Sequence, residues 1–225
     1  MTSPSQSQPR PDSRAPRGPH KRSPRGPYKK GIERRREVVA EAMEVFGQHG
    51  FKGGTLQQVA ERVGLTPAAI IKLFGSKEGL LVAVLEHWDV VTSEVMGSPN
   101  RDYEFLDAFK KLMHYHTQHR GLLELYTTMA AEATSADHPA HGFMTERYSA
   151  TLATMRGLFR DAIEDGHFRP MAADEIEGEA ECLLATMDGL EIQFLLNPSF
   201  DLERSFAAFL DRLVARLSLD RSNGS

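Results

Sequence analysis

A chain of 225 residues, 40% of them hydrophobic, can bury an ordinary core as one compact unit or two small ones. It has no apolar run near the roughly eighteen residues of a membrane span and no apolar secretory segment, and its single cysteine, Cys182, excludes an internal disulfide, so a cytoplasmic protein with no membrane partner is expected. The net charge of −4 conceals a polarity: residues 1–36 hold eleven Lys or Arg and two acids, +9, against −13 for the rest, as in a basic nucleic-acid arm on an acidic body.

Residues 1–30 are rich in Pro, Ser, Arg and Gly, with almost no aliphatic side chains. Such a segment cannot bury enough surface to offset its ordering entropy, and is predicted to be disordered when unbound. Its arginines, Arg22 and Arg25 among them, can neutralise phosphates or enter a minor groove as homeodomain arms do; the alternative is a solubilising tail. A first helix is predicted over residues 32–48, with Val38, Val39, Ala42, Val45 and Phe46 on one face. Arg34, Arg35 and Arg36 stand at its start, where cations oppose the helix dipole, which either nearby phosphate or plain solvation would accommodate.

The most informative stretch follows. Leu56, Val59, Ala60 and Val63 recur at helical spacing behind Thr55, a cap, with Gln58 at the reciprocal position of a capping box. Gly64 ends that helix, Thr66 caps the next, Pro67 occupies its first turn, and Ile70 and Phe74 are spaced to face inward. Gly75 closes it, and Ser76 caps a third helix with Glu78 near its positive end.

The run Gly64-Leu65-Thr66, then Ile70, Phe74 and Ser76-Lys77-Glu78-Gly79-Leu80-Leu81, resembles the N-terminal signature of the TetR family of one-component transcriptional regulators, and the likeness extends over residues 30–219. It implies an all-α fold, a three-helix helix-turn-helix DNA-binding domain (31–76) and a helical-bundle ligand-binding and dimerisation domain (77–219), between the disordered basic arm that composition predicts (1–30) and a flexible tail (220–225). By the same resemblance, the helix opened by Pro67 enters the major groove. Gln57 is similar in position to a base-contacting residue, and Gln can read adenine bidentately. Thr55 and Thr66 suit phosphate at helix N-termini. Ala68, Ala69, Ile71 and Leu73 then face the groove, with Lys72, Lys77 and Arg34 near the DNA backbone. The chain departs from the family where aromatics, including a phosphate-binding Tyr, usually stand near Ile71 and Leu73. An apolar reading face favours thymine methyl contacts and DNA shape over hydrogen-bond readout, and shifts affinity onto the arm.

Only helices are predicted beyond the motif: residues 77–96, then 103–119 after a break at Gly97-Ser98-Pro99-Asn100, 122–134, 143–165, 173–196 and 202–219. Trp88, His116, Tyr126, Met129, Met155, Phe159 and Met187 could surround a largely apolar effector pocket, or serve as core filler. His114, His116 and His119 lack an acidic or Cys partner at ligand spacing, so neither a metal nor any other cofactor is expected. Cys182, between apolar neighbours, is expected in the core or an interface. Asp188-Gly189-Leu190 and Phe194-Leu195-Leu196-Asn197-Pro198 resemble a family stretch in which the closing helices form a four-helix dimer interface, here through Leu183, Leu190, Phe194, Phe206, Phe209 and Leu213; the same residues could fill a monomer's core.

The expectation is a homodimeric repressor that binds a palindromic double-stranded DNA operator and is released by an unknown, largely apolar small molecule. An effector-independent DNA binder or an activator is the alternative. A small-molecule-binding or catalytic bundle is weaker, since the chain lacks a phosphate-cradling loop, an activated Ser or Cys and paired acids in acid/base geometry.

Overall fold

A computed structural model describes residues 26–97 and 104–219. The arginines of the arm, Arg22 and Arg25 included, the predicted break at 98–100 and the tail at 220–225 lie outside them. The elements in order are α1 (Gly26–Gly53), α2 (Leu56–Val63), α3 (Pro67–Phe74), α4 (Lys77–Met96), α5 (Glu104–Gln118), α6 (Arg120–Glu132), α7 (His141–Glu164), α8 (Ala173–Leu196) and α9 (Leu202–Leu217). No strand occurs among the described residues beyond one isolated bridge, Phe168 to Ser218. Helix α1 begins at Gly26 rather than residue 32, so residues 26–30, assigned to the arm from composition, are helical.

The local signals for α2 to α4 operate as their chemistry dictates. Thr55 Oγ1 accepts from the Gln58 amide at 3.2 Å while Gln58 Oε1 accepts from the Thr55 amide at 2.8 Å, a complete capping box. Gly64 ends α2 in the left-handed region at φ 62°, where a Cβ would be strained. The Thr66 hydroxyl accepts from Ala69 N at 3.2 Å and Ser76 Oγ from Gly79 N at 3.0 Å. Caps of this kind each contribute about 1 kcal/mol, and together they set the two corners of the helix-turn-helix. At the start of α4, hydrogen bonds from the backbone and from Ser76 hold the Glu78 carboxyl below the usual carboxylate range.

The hydrophobic core forms two clusters, and they do not divide at residue 77. The first joins Val38, Ala42, Val45 and Phe46 of α1 to Val59, Ile70, Phe74 and the N-terminal half of α4, and also takes in Leu125, Met129, Ala133 and Met144 from α6, its C-cap and α7. The second is built by α5, the C-terminal half of α7, α8 and α9 around Phe105, Met113, Phe159, Phe168 and Phe206. Trp88, 3% exposed near the middle of α4, stacks on His116 of α5 with ring centroids 5.6 Å apart.

Helix α6 lies against α1 with their backbones touching: a Cβ on Gly121 would collide with the carbonyl oxygen of Gly47. Gly121→Ala should therefore lower stability to urea by about 1–2 kcal/mol, the overpacking penalty exceeding the gain in helix propensity. A variant as stable as the wild type would mean that α6 can move off α1 freely.

Candidate nucleic-acid interface and internal cavity

Helix α3 buries Ile70 and Phe74 and exposes Ala68, Ile71 and Lys72, with Ile71 45% exposed. Pro67 and Ala69 are half-buried. Leu73 is half-buried as well and packs against the first core, less exposed than Ile71 on the face expected to read DNA. Thr55, Gln57 and Thr66 are exposed beside α3, with Gln57 Nε2 held by Glu61 Oε1 at 2.7 Å.

Two cations expected at the DNA backbone have other partners. Lys77 Nζ donates to Phe51 O at 2.6 Å and lies 4.5 Å from the Phe51 ring centroid, and partial burial lowers its pKa. Arg34 donates to Val63 O at 2.7 Å and pairs with Glu37 at 2.7 Å. Arg35, given no individual role by the sequence, donates to Leu73 O at 2.6 Å, its guanidinium 4.2 Å from the Phe74 ring centroid. These arginines do not stand at the start of their helix, because α1 begins at Gly26. Arg34 and Arg35 sit over the negative C-terminal ends of α2 and α3, where a cation is favourable. Arg36 and Lys72 remain exposed.

The second feature is a cavity of 340 Å³ between α4, α5, α6, α7 and α8. Three of the seven expected pocket residues, Tyr126, Met155 and Met187, line it, with Phe105, Phe109, Leu112 and Leu184 completing the apolar wall. The other four do not. Met129 belongs to the first core and Phe159 is fully buried in the second. Trp88 and His116 stand behind the wall, where His116 Nδ1 meets Glu191 Oε1 at 2.7 Å and His116 Nε2 is buried without a hydrogen-bond partner. The three histidines that cluster in the sequence have separate partners: His114 meets Glu203, His116 Glu191 and His119 the Tyr115 carbonyl.

Polar residues with no distinctive sequence signature give the cavity its chemistry. Arg147 of α7 pairs with Asp89 of α4 and its Nε donates to Tyr126 OH at 2.9 Å. Next to it, Tyr148 OH donates to Asp188 Oδ2 of α8 at 2.8 Å. Burial raises the pKa of both tyrosines and lowers that of Arg147. It also pushes the Asp188 carboxyl up to about 6, against the opposing effect of the Tyr148 hydrogen bond. Asp188, Glu191, Tyr126 and Tyr148 also line a second, more open cavity of 450 Å³ beside Ile192, so they form the wall between the two. For the two acids the one signal in the sequence is spacing: Asp188 and Glu191 stand at i and i+3 on an otherwise apolar helical stretch.

Of the six residues expected at a dimer interface, Leu183, Phe206 and Leu213 are 1%, 0% and 2% exposed and fill the second core of the chain itself, which takes them out of any surface. Leu190, Phe194 and Phe209 are half-buried. The large apolar residues exposed on α8 are Ile192 and Leu196, 43% and 80% accessible, and Cys182 is exposed on the same helix. Arg120 ties down the end of α8, donating to Phe194 O and Leu195 O at 2.9 and 2.6 Å.

With this geometry in place, comparison with known proteins assigns the class. The family described as bacterial regulatory proteins, tetR family, matches residues 38–84, the segment that runs from within α1 through α2 and α3 into the first part of α4. The HTH-type transcriptional repressor NicS of Pseudomonas putida is 26% identical over 149 residues, 63% of this chain and 67% of that protein. Among solved structures, a TetR transcription regulator from Haloarcula marismortui superposes with a TM-score of 0.73 at 15% identity, over 84% of this chain and 100% of that one. A transcriptional regulator from Saccharomonospora viridis, solved in complex with choline, gives 0.70 at 19% identity over 84% and 99% of the two chains. Residues 38–84 thus carry the helix-turn-helix DNA-binding domain of the TetR family, and the all-α fold of the described residues is the one these solved regulators share. Among the described residues no helix is long and apolar enough to cross a membrane.

The raised pKa of Asp188 has a consequence for stability. Between the unfolded value near 4 and about 6, the folded protein keeps a proton that the unfolded chain has lost, so stability falls as pH rises through that window. Asp188→Asn, which can still accept the Tyr148 hydrogen bond, should gain on the wild type by about 1–2 kcal/mol between pH 4 and 7.5 in parallel urea titrations. A difference that stays constant with pH would show that Asp188 ionises normally.

Proposed function

We propose that the protein is a homodimeric transcriptional repressor that binds a palindromic operator through α3 and is released when a small molecule enters the cavity beside Asp188 and Tyr148. The observation that carries this reading is the pairing of two features on one helix. Helix α4 begins against α3 at Ser76 and contributes Asp89, Ser93 and Met96 to the cavity wall near its other end. A ligand that prefers a bundle with α4 displaced shifts the dimer toward recognition helices at the wrong spacing. A coupling of about 1–3 kcal/mol corresponds to about 5- to 150-fold in operator affinity. The close approach of α6 to α1 at Gly121 and Gly47 supplies a second route between cavity and reader, since α6 carries Tyr126. The repressor NicS supports the sign of regulation, and the choline complex supports a small-molecule site in this fold.

Affinity is divided between α3 and the basic arm. Ala68 and Ile71 present apolar surface suited to thymine methyls, with Lys72, Arg36 and the exposed Gln57 and Thr66 as the polar groups nearby. Mobility shift of the DNA upstream of the gene should show a specific complex that Ile71→Glu abolishes. Removal of residues 1–25, short of α1, should weaken it and lower the log–log salt slope by roughly one unit for each phosphate the arm neutralises. An unshifted fragment, or a truncated protein with unchanged affinity and slope, overturns the corresponding half of this reading; a complex indifferent to every bound ligand makes the protein an effector-independent binder.

The dimer face is the outer side of α8 and α9, where Leu190, Phe194 and Phe209 are flanked by the exposed Ile192 and Leu196. Two-fold pairing there matches half-sites about one DNA turn apart. The double substitution Ile192→Glu, Leu196→Glu should give a monomer in sedimentation velocity and reduce operator binding at least about 100-fold, because a single recognition helix reads few base pairs. A dimer that survives it must use another face.

A further inference from the structure

Three carboxylates and one guanidinium line the 340 Å³ cavity, and the guanidinium is already committed: Arg147 pairs with Asp89. Glu191 is 4% exposed and bonded to His116 at 2.7 Å. Asp188 has the neutral Tyr148 hydroxyl as its hydrogen-bond partner and no ion pair among the described residues, the charge of Arg147 reaching it without contact and not offsetting its burial. A half-buried carboxylate whose single hydrogen-bond donor is neutral is under-compensated, and a cavity wall is where a missing partner can arrive from outside. The same cavity is lined by Tyr126, Tyr148, Phe105 and Phe109, aromatic rings of the kind whose quadrupoles attract cations, and by the polarisable side chains of Met155 and Met187.

We propose that this cavity is selective for organic monocations with an apolar body, the positive nitrogen resting against Asp188 and Tyr148 and the body against the Phe and Met wall. This rests on the reading that the cavity is the effector site and names the chemical class it takes. Neutral ligands gain the apolar contacts but leave Asp188 without a counter-charge. Anionic ligands meet three carboxylates in a space of restricted dielectric, where like-charge repulsion is weakly screened. The upward displacement of the Asp188 carboxyl agrees with a site whose occupant supplies positive charge.

The test uses the full-length protein at pH 7.5 and three probes of similar shape in titration calorimetry: 4-phenylbutyltrimethylammonium, 5-phenylpentan-1-ol and 5-phenylpentanoate. The cation should bind at least about tenfold tighter than the alcohol, and the carboxylate weakest. Asp188→Asn should cost the cation about tenfold while leaving the alcohol unchanged, with helical circular dichroism reporting that the variant is folded. Equal affinities, tighter binding of the carboxylate, a cation affinity indifferent to Asp188, or no binding of any probe would each overturn the proposal. Operator release measured with the wild type separates this from the broader reading. Release by the alcohol or the carboxylate but not the cation would remove charge selectivity and keep the effector site. Asp188-dependent cation binding without release would keep the selectivity and remove the switch.

Discussion

Helix α3 has eight residues, fewer than the roughly 12–15 at which an isolated helix becomes even marginally stable in water. It persists because both ends and one face are held by something else. Thr66 caps its first turn, Pro67 fits the N1 position, and Gly75 returns its amide to Ile71 O at 2.7 Å. Ile70 and Phe74 are buried in the first core, and Arg35 reaches from α1 to bond the Leu73 carbonyl and cover the Phe74 ring. The outward face, Ala68, Ile71 and Lys72, is what those constraints leave over. A reader built in this way borrows its rigidity from α1 and α4, so it can be re-aimed as a block with them but cannot bend alone.

That division explains what was legible in the sequence. The turns and caps of α2 to α4 act over three or four residues, and Thr55, Gln58, Gly64, Thr66, Pro67 and Ser76 each announce their roles locally. The arginines of α1 do not, because their partners lie far along the chain: Arg34 bonds Val63 and Arg35 bonds Leu73. Three adjacent cations before a DNA-binding motif suggest phosphate. Two of them instead cap the C-terminal ends of α2 and α3, a tertiary use of the same charge–dipole attraction. Lys77 is a parallel case, its amine drawn inward to Phe51 O.

The bundle was legible as helices and less so as a site. Composition points to an apolar, Met-rich and aromatic pocket, and Tyr126, Met155 and Met187 do line one. Which apolar residue faces a cavity and which faces a core depends on the rotation of each helix about its axis, and periodicity fixes only the buried stripe as a whole. Met129 and Tyr126 share α6, yet Met129 lies in the first core and Tyr126 borders the cavity. The same ambiguity assigns Leu183, Phe206 and Leu213 to a dimer surface when they fill the chain's own core. The charged members, Asp89, Arg147 and Asp188, escape a sequence reading because polar residues on amphipathic helices ordinarily face water. Only the crossing of α4, α7 and α8 encloses them.

If the cavity is the effector site proposed above, those charged residues would also supply a path from ligand to α3 that an apolar pocket would lack. Arg147 and Tyr148 are adjacent on α7, one paired with Asp89 on α4 and the other bonded to Asp188 on α8. A cation that neutralises Asp188 weakens the attraction between that carboxylate and Arg147, while a positive charge near Arg147 repels it directly. Both effects bear on the same side chain, which holds α4 to α7 and donates to Tyr126 on α6. Helices α4 and α6 each border the cavity and also pack into the first core, where α1 and α3 are anchored. A ligand placed at Asp188 would thus act on both connections through one guanidinium, by electrostatics as well as by the space it occupies.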